Sequence, residues 1–117
     1  MIVPGQRMPI VIATRPVDFR KGHDGLAAVV QNELGLDPHS GVTVVFRSRR
    51  GDRVKILVWD GTGLVLAYKR LERGGFVWPP VQDGVMRISR AQFEALFEGL
   101  AWTRVGPPQV ARPAAAN

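Results

Sequence analysis

Eight cationic side chains between Arg47 and Arg73 are the residues of this sequence best suited to do chemistry. Arg47, Arg49, Arg50, Arg53 and Lys55 fall in the run Phe46-Arg47-Ser48-Arg49-Arg50-Gly51-Asp52-Arg53-Val54-Lys55, and Lys69, Arg70 and Arg73 follow in a second cluster. A guanidinium presents a planar fork of donors that fits phosphate oxygens and base edges two at a time. Such residues around a turn point to a nucleic-acid contact, with Arg49 and Arg50 at the tip able to enter a groove. The plainer reading of the same run is a solvated turn that keeps a strand edge soluble. Arg20 and Lys21 are candidates for a secondary contact, although Asp18 and Asp24 flank them.

The charge distribution favours a polyanionic partner. Sixteen Lys and Arg against ten Asp and Glu give a net charge of +6 in 117 residues. Residues 1–41 are balanced, with four bases and four acids, whereas residues 42–81 carry eight bases and three acids. Charge gathered in one third of a chain attracts a polyanion more strongly than charge spread evenly. Cysteine is absent, which removes disulfides, thiol nucleophiles and cysteine-ligated metal sites from consideration. The apolar runs are far shorter than the roughly 20 residues needed to span a bilayer. The N-terminus, with Pro4, Gly5, Arg7 and Pro9, does not read as a signal peptide. The expected setting is cytoplasmic, without membrane association.

Catalytic readings find little support. Asp18, Asp24, Asp52, Asp60 and Glu72 show no spacing that marks a metal-ligating set, so no metal or other cofactor is expected. Asp18 and Asp24 read as helix caps, Asp52 and Asp60 as turn residues. His23 and His39 lie in separate segments without a nucleophile beside them. Gly61-Thr62-Gly63 lacks the following Lys-Ser/Thr of a phosphate-binding loop. Among the aromatics, Trp59 and Trp78 read as packing residues, while Tyr68 falls beside Lys55 and is a candidate stacking face.

The elements that must position these side chains follow from the hydrophobic pattern. Met8 to Ala13 reads as a short strand. Leu26, Val29, Val30 and Leu34 recur at helical spacing and predict a helix from about His23 to Leu34, stopped by Gly35. Val42–Ser48, Arg53–Asp60 and Gly63–Leu71 are β-branched runs separated by turn signals, which predicts an antiparallel meander. Phe76–Trp78 and Val85–Ile88 read as weaker, edge-like strands. Ser89 and Gln92 form a capping-box signature ahead of Phe93, Leu96, Phe97 and Leu100, predicting a helix from about Arg90 to Leu100. The fold class is α+β: a central antiparallel β-meander flanked by two helices. Residues 1–8 read as a loose arm, 9–104 as a single domain and 105–117 as a disordered tail rich in Pro and Ala.

Turns at Arg50-Gly51 and Gly61-Thr62 fix a register. Phe46, Lys55 and Tyr68 then line up across three strands, as do Ser48, Arg53 and Arg70. Arg47, Val54 and Lys69 line up on the opposite face. Both faces are basic at the end near the first turn and apolar at the other. Arg53 opposite Arg70 is a like-charge pair, unfavourable in isolation and relieved by an anion between the two.

Three segments together resemble one family. Residues 15–27 (RPVDFRKGHDGLA), 45–61 (VFRSRRGDRVKILVWDG) and 68–79 (YKRLERGGFVWP) are similar, in order and spacing, to the TnpB accessory proteins of insertion-sequence family sixty-six. These are unrelated to the RNA-guided nucleases that share the name. The resemblance runs from about Ile10 to Trp102. It implies a small bacterial accessory of transposition, encoded beside a separate transposase and not itself the strand-transfer enzyme. The partners it implies are DNA at the element ends and the transposase, with a homo-oligomer as a further expectation. A different class of function stays open, namely an adaptor that binds the transposase and never DNA, favoured if one apolar sheet face is left uncovered.

Overall fold

A computed structural model describes residues 8–80 and 84–105. A five-stranded sheet organises them, built from β1 (Ile10–Ala13), β2 (Thr43–Arg47), β3 (Arg53–Trp59), β4 (Leu64–Arg70) and β5 (Val85–Ile88). The spatial order is β4-β3-β2-β1-β5. Only β1 and β2 run parallel; the other neighbours are antiparallel. The parallel pair needs a crossover, and helix α1 (His23–Asn32) supplies it. Helix α2 (Arg90–Phe97) follows β5, and a short 3₁₀ turn spans Trp102–Arg104.

The meander forms in the expected register. Val44 faces Leu57, Arg47 faces Val54, Arg53 faces Arg70 and Lys55 faces Tyr68. Alternation of side chains then divides the sheet into two apolar faces. One face, with Val11, Val44, Phe46 and Leu57, packs against Leu26, Val29 and Val30 of α1. The other, with Ile12, Val45, Val54 and Ile56, packs against Phe93 and Leu96 of α2 and against Trp102. A helix therefore covers each face, and the uncovered face that would have favoured the adaptor reading is not found among the described residues.

Several expectations need correction. Phe76–Trp78 joins no ladder and instead forms a strap: Phe76 N–H donates to Gly51 O at 2.7 Å and the Trp78 indole to Ala13 O at 3.0 Å. The Trp102 indole reaches Val77 O at 2.6 Å with the ring fully buried. Pro79 and Pro80 after a segment with such fixed bonds explain why no strand pairing extends from it. Asp18 and Asp24 do not cap α1, whose N-cap is Gly22 without a side-chain bond. The Asp18 carboxylate lies four residues too early and accepts the Arg20 backbone N–H at 2.9 Å. Helix α1 stops at Asn32 and α2 at Phe97, each short of the last periodic residue; Gly99, with φ of +79°, turns the chain just past α2. The capping box at Ser89 and Gln92 forms as expected, with bonds of 3.0 and 2.9 Å. Residues 1–7 of the expected arm and 106–117 of the expected tail lie outside the described residues.

Candidate nucleic-acid interface

The basic end of the sheet is built around the β2–β3 turn. Gly51 adopts φ of +81°, open to glycine without the penalty a β-carbon imposes, and its N–H donates to Ser48 O at 3.0 Å. Ser48 N–H bonds Arg53 O at 3.0 Å, closing the hairpin. Two further bonds clamp the turn from behind, Leu71 N–H to Asp52 O at 2.9 Å and Phe76 N–H to Gly51 O. A β-carbon on Gly75 would approach Gly51 O to 3.2 Å, so a side chain there would push the clamp apart by a few tenths of an ångström.

On this frame Arg49, Arg50, Arg70 and Arg73 are exposed and Arg53 is partly so. Arg49, Arg50 and Arg73 form no ion pair among the described residues. Each member of the like-charge pair of Arg53 and Arg70 has a partner within the chain. Arg53 donates to the Tyr68 hydroxyl at 3.0 Å and lies 3.8 Å from Asp52, while Arg70 lies 3.6 Å from Glu72. The Tyr68 hydroxyl, and secondarily Asp52, holds the Arg53 guanidinium above its ordinary range. Tyr68 is half exposed and meets Phe19 edge-on at 5.7 Å.

Three of the eight expected contacts sit differently. Lys55 is only 6% exposed, and its ammonium donates to Phe19 O and Lys21 O, both at 2.8 Å. It lies 5.1 and 5.0 Å from the Phe19 and Tyr68 ring centres. A lysine in the middle of a strand, opposite a tyrosine, is buried because a loop crosses the sheet there, and no local pattern announces that crossing. Lys69 points to the α2 face, donating to Phe97 O at 2.6 Å and lying over the Phe97 ring at 4.4 Å. The cation satisfies a carbonyl in the last turn of α2, where cations are favoured. Arg47 shares that face, half-buried, with its Nε enclosed and without a partner. The secondary candidates also divide: Lys21 is exposed, while Arg20 forks onto Asp18 through Nε and a terminal nitrogen at 2.7 to 3.1 Å. The Arg20 side chain holds the Asp18 carboxyl well below the usual carboxylate range.

Sequence reasoning overlooked the segment 16–19, which faces the basic turn. Val17 N–H bonds Arg47 O at 3.1 Å, and together with residues 48–53 this segment bounds a cleft of about 590 Å³. The arginine-rich run was visible; its opposing wall comes from 30 residues earlier and carries no charge pattern of its own beyond Asp18 and Arg20.

Asp60 and Trp59, read from the sequence as a turn residue and a packing residue, are placed accordingly. Asp60 accepts the N–H groups of Thr62 and Gly63 at 2.9 and 3.0 Å, which holds its carboxyl below the ordinary range. Trp59 meets His39 edge-on at 5.1 Å. Among the described residues no three His, Asp or Glu side chains gather as a metal-binding group, and no helix is long and apolar enough to cross a membrane.

A family model described as IS66 Orf2 like protein matches residues 8–107. The uncharacterized protein y4jC of Sinorhizobium fredii (strain NBRC 101917 / NGR234) is 47% identical over 113 residues, covering 97% of each chain. The uncharacterized protein y4hO of the same strain is 42% identical over 113 residues, covering 97% of this chain and 96% of its own length. No solved structure gives a significant match.

Proposed function

Because this chain belongs to the IS66 Orf2-like family, whose place is that of an accessory to insertion-sequence transposition, we propose that it binds DNA through the basic end of its sheet. In this role it is non-catalytic and assists assembly of the transposase on the element ends. The observation that carries the reading is the cluster of Arg49, Arg50, Arg53, Arg70 and Arg73 at one end of a sheet whose turn is clamped by backbone bonds. Five guanidiniums on a rigid frame fit a phosphate backbone; they have no comparable use in packing. Lys55 and Lys69 drop out of the contact set, because their ammonium groups already serve backbone carbonyls; Arg47 drops out with them, its Nε enclosed on the α2 face.

The test is fluorescence anisotropy with an element-end duplex and a scrambled duplex of equal length, titrated through salt. Each phosphate neutralised contributes about 0.9 to the slope of log K against log salt, so five contacts give a slope of about −4.5. The difference between duplexes reads the specificity. The double variant Arg49→Glu, Arg50→Glu is expected to abolish binding with an unchanged melting temperature, since neither side chain takes part in the bonds that hold the turn. Unchanged affinity in a folded double variant refutes the assignment.

A further inference from the structure

Resting on the DNA-binding reading above, we propose that the cleft between residues 16–19 and the β2–β3 turn takes one unpaired nucleotide, its base carrying an exocyclic amino group. The cleft has two walls, each fixed from outside. Val17 N–H on Arg47 O and the Lys55 ammonium on Phe19 O and Lys21 O hold the first. The bonds from Leu71 and Phe76 hold the second. Its volume of about 590 Å³ lies within the range of small-molecule and cofactor sites, about 300–1,000 Å³.

The lining is chemically divided in the way a nucleotide is divided. Pro16, Val17 and Phe19 offer apolar surface for the flat faces of a base. Arg49, Arg50 and Arg53 offer donors for its phosphates. Two carboxylates remain, and they are not equivalent. Asp18 is occupied by Arg20, which bonds both of its oxygens. Asp52 is held more loosely, its Oδ1 lying 3.4 Å from the Ser48 hydroxyl and 3.8 Å from Arg53, and it is the carboxylate with capacity to accept a further donor. A carboxylate acceptor favours an amino donor such as cytosine N4 over thymine, whose N3–H sits between two carbonyl oxygens that repel the carboxylate.

Other occupants fit less well. A bare anion makes no use of the apolar wall, and an acidic peptide meets Asp18 and Asp52. A paired base cannot enter, because stacking and pairing leave neither its faces nor its Watson–Crick edge free.

The experiment compares the full chain on three duplexes of identical length and flanking sequence: fully paired, with one unpaired dC, and with one unpaired dT. The dC duplex is expected to bind about tenfold more tightly than the paired one, with dT between them. Asp52→Asn is expected to bring dC and dT together, read as the ratio of their two affinities within the variant, whatever the variant does to paired-duplex binding. The dC and dT arms need no variant, so the proposal stays testable if Asp52→Asn fails to fold. Equal affinity for all three duplexes overturns the cleft assignment and leaves DNA binding by the arginines intact. No binding to any of them overturns both readings.

Discussion

Replacing Lys55 with methionine separates a lysine that builds the site from one that touches the ligand. The residue is 6% exposed, and its ammonium lies near two aromatic rings and donates to two carbonyls at 2.8 Å. Hydrogen bonds to a charged group each contribute about 1.5–3 kcal/mol. Against that stands the desolvation cost of a buried ammonium, which methionine does not incur. Methionine keeps much of the aliphatic length but leaves Phe19 O and Lys21 O unpaired. Those carbonyls belong to a loop at the protein surface, so water recovers part of what is lost, and the net destabilisation is about 2 kcal/mol. For a domain near 100 residues this lowers the melting temperature by about 8–16 °C.

Urea unfolding of wild type and Lys55→Met, at equal m-value, reads the stability change directly. Salt-titrated anisotropy reads the other half of the argument. Because Lys55 neutralises no phosphate in this arrangement, the folded variant keeps the wild-type salt slope. Wild-type stability together with a slope shallower by about 0.9 would refute the reasoning, since it would identify Lys55 as a phosphate contact and the buried pose as dispensable.

Two further perturbations test the frame. Trp102→Phe removes the indole N–H that satisfies Val77 O at 2.6 Å in a fully buried setting, and a loss of about 1–3 kcal/mol is expected in urea unfolding; an unchanged midpoint would show that this bond contributes nothing to holding the strap. Asp60 has its carboxyl lowered by the N–H groups of Thr62 and Gly63, so the unfolded chain binds this proton more readily than the folded one. Its contribution to stability is therefore present above the ordinary aspartate value of about 3.9 and is lost as pH falls below it. Asp60→Asn should flatten the acid limb of the stability profile measured by urea midpoints, and an identical acid limb would contradict the turn's role.

The register of the meander was legible to the residue, with strand ends read one residue too long, because three constraints agreed. Gly51 and Gly61-Thr62 marked the turns, β-branched runs marked the strands, and a shift by one residue would have put Phe46 on the wrong face. Long-range contacts were not legible. Lys55 looked like one more cation in a basic stripe; its burial depends on residues 19 and 21 crossing above it, 34 and 36 positions away in sequence. Lys69 was placed on the correct face, but the helix end that captures it lies 28 residues downstream. Lys55, Lys69 and Arg47 are the members of the set drawn inward, while Arg49, Arg50 and Arg73 stay exposed. Of the three drawn inward, the two lysines reach carbonyls and the Arg47 Nε is enclosed without a partner. A flexible stem with a compact ammonium reaches a carbonyl through a gap that a planar guanidinium fills poorly.

That division bears on how the site keeps its shape while gathering like charges. Arg49, Arg50, Arg53, Arg70 and Arg73 repel one another, and a turn held by its side chains would relax to separate them. Here the turn is held by main-chain bonds from Ser48, Leu71 and Phe76, with Gly51 and Gly75 permitting the close approach. Tyr68, Asp52 and Glu72 orient two of the five arginines without neutralising the group. Stability and charge thus reside in different atoms of the same residues: backbone for the fold, guanidinium for the ligand. The clamp through Gly51 and Gly75 is consequently the place where a change in fold would alter binding without touching a single arginine.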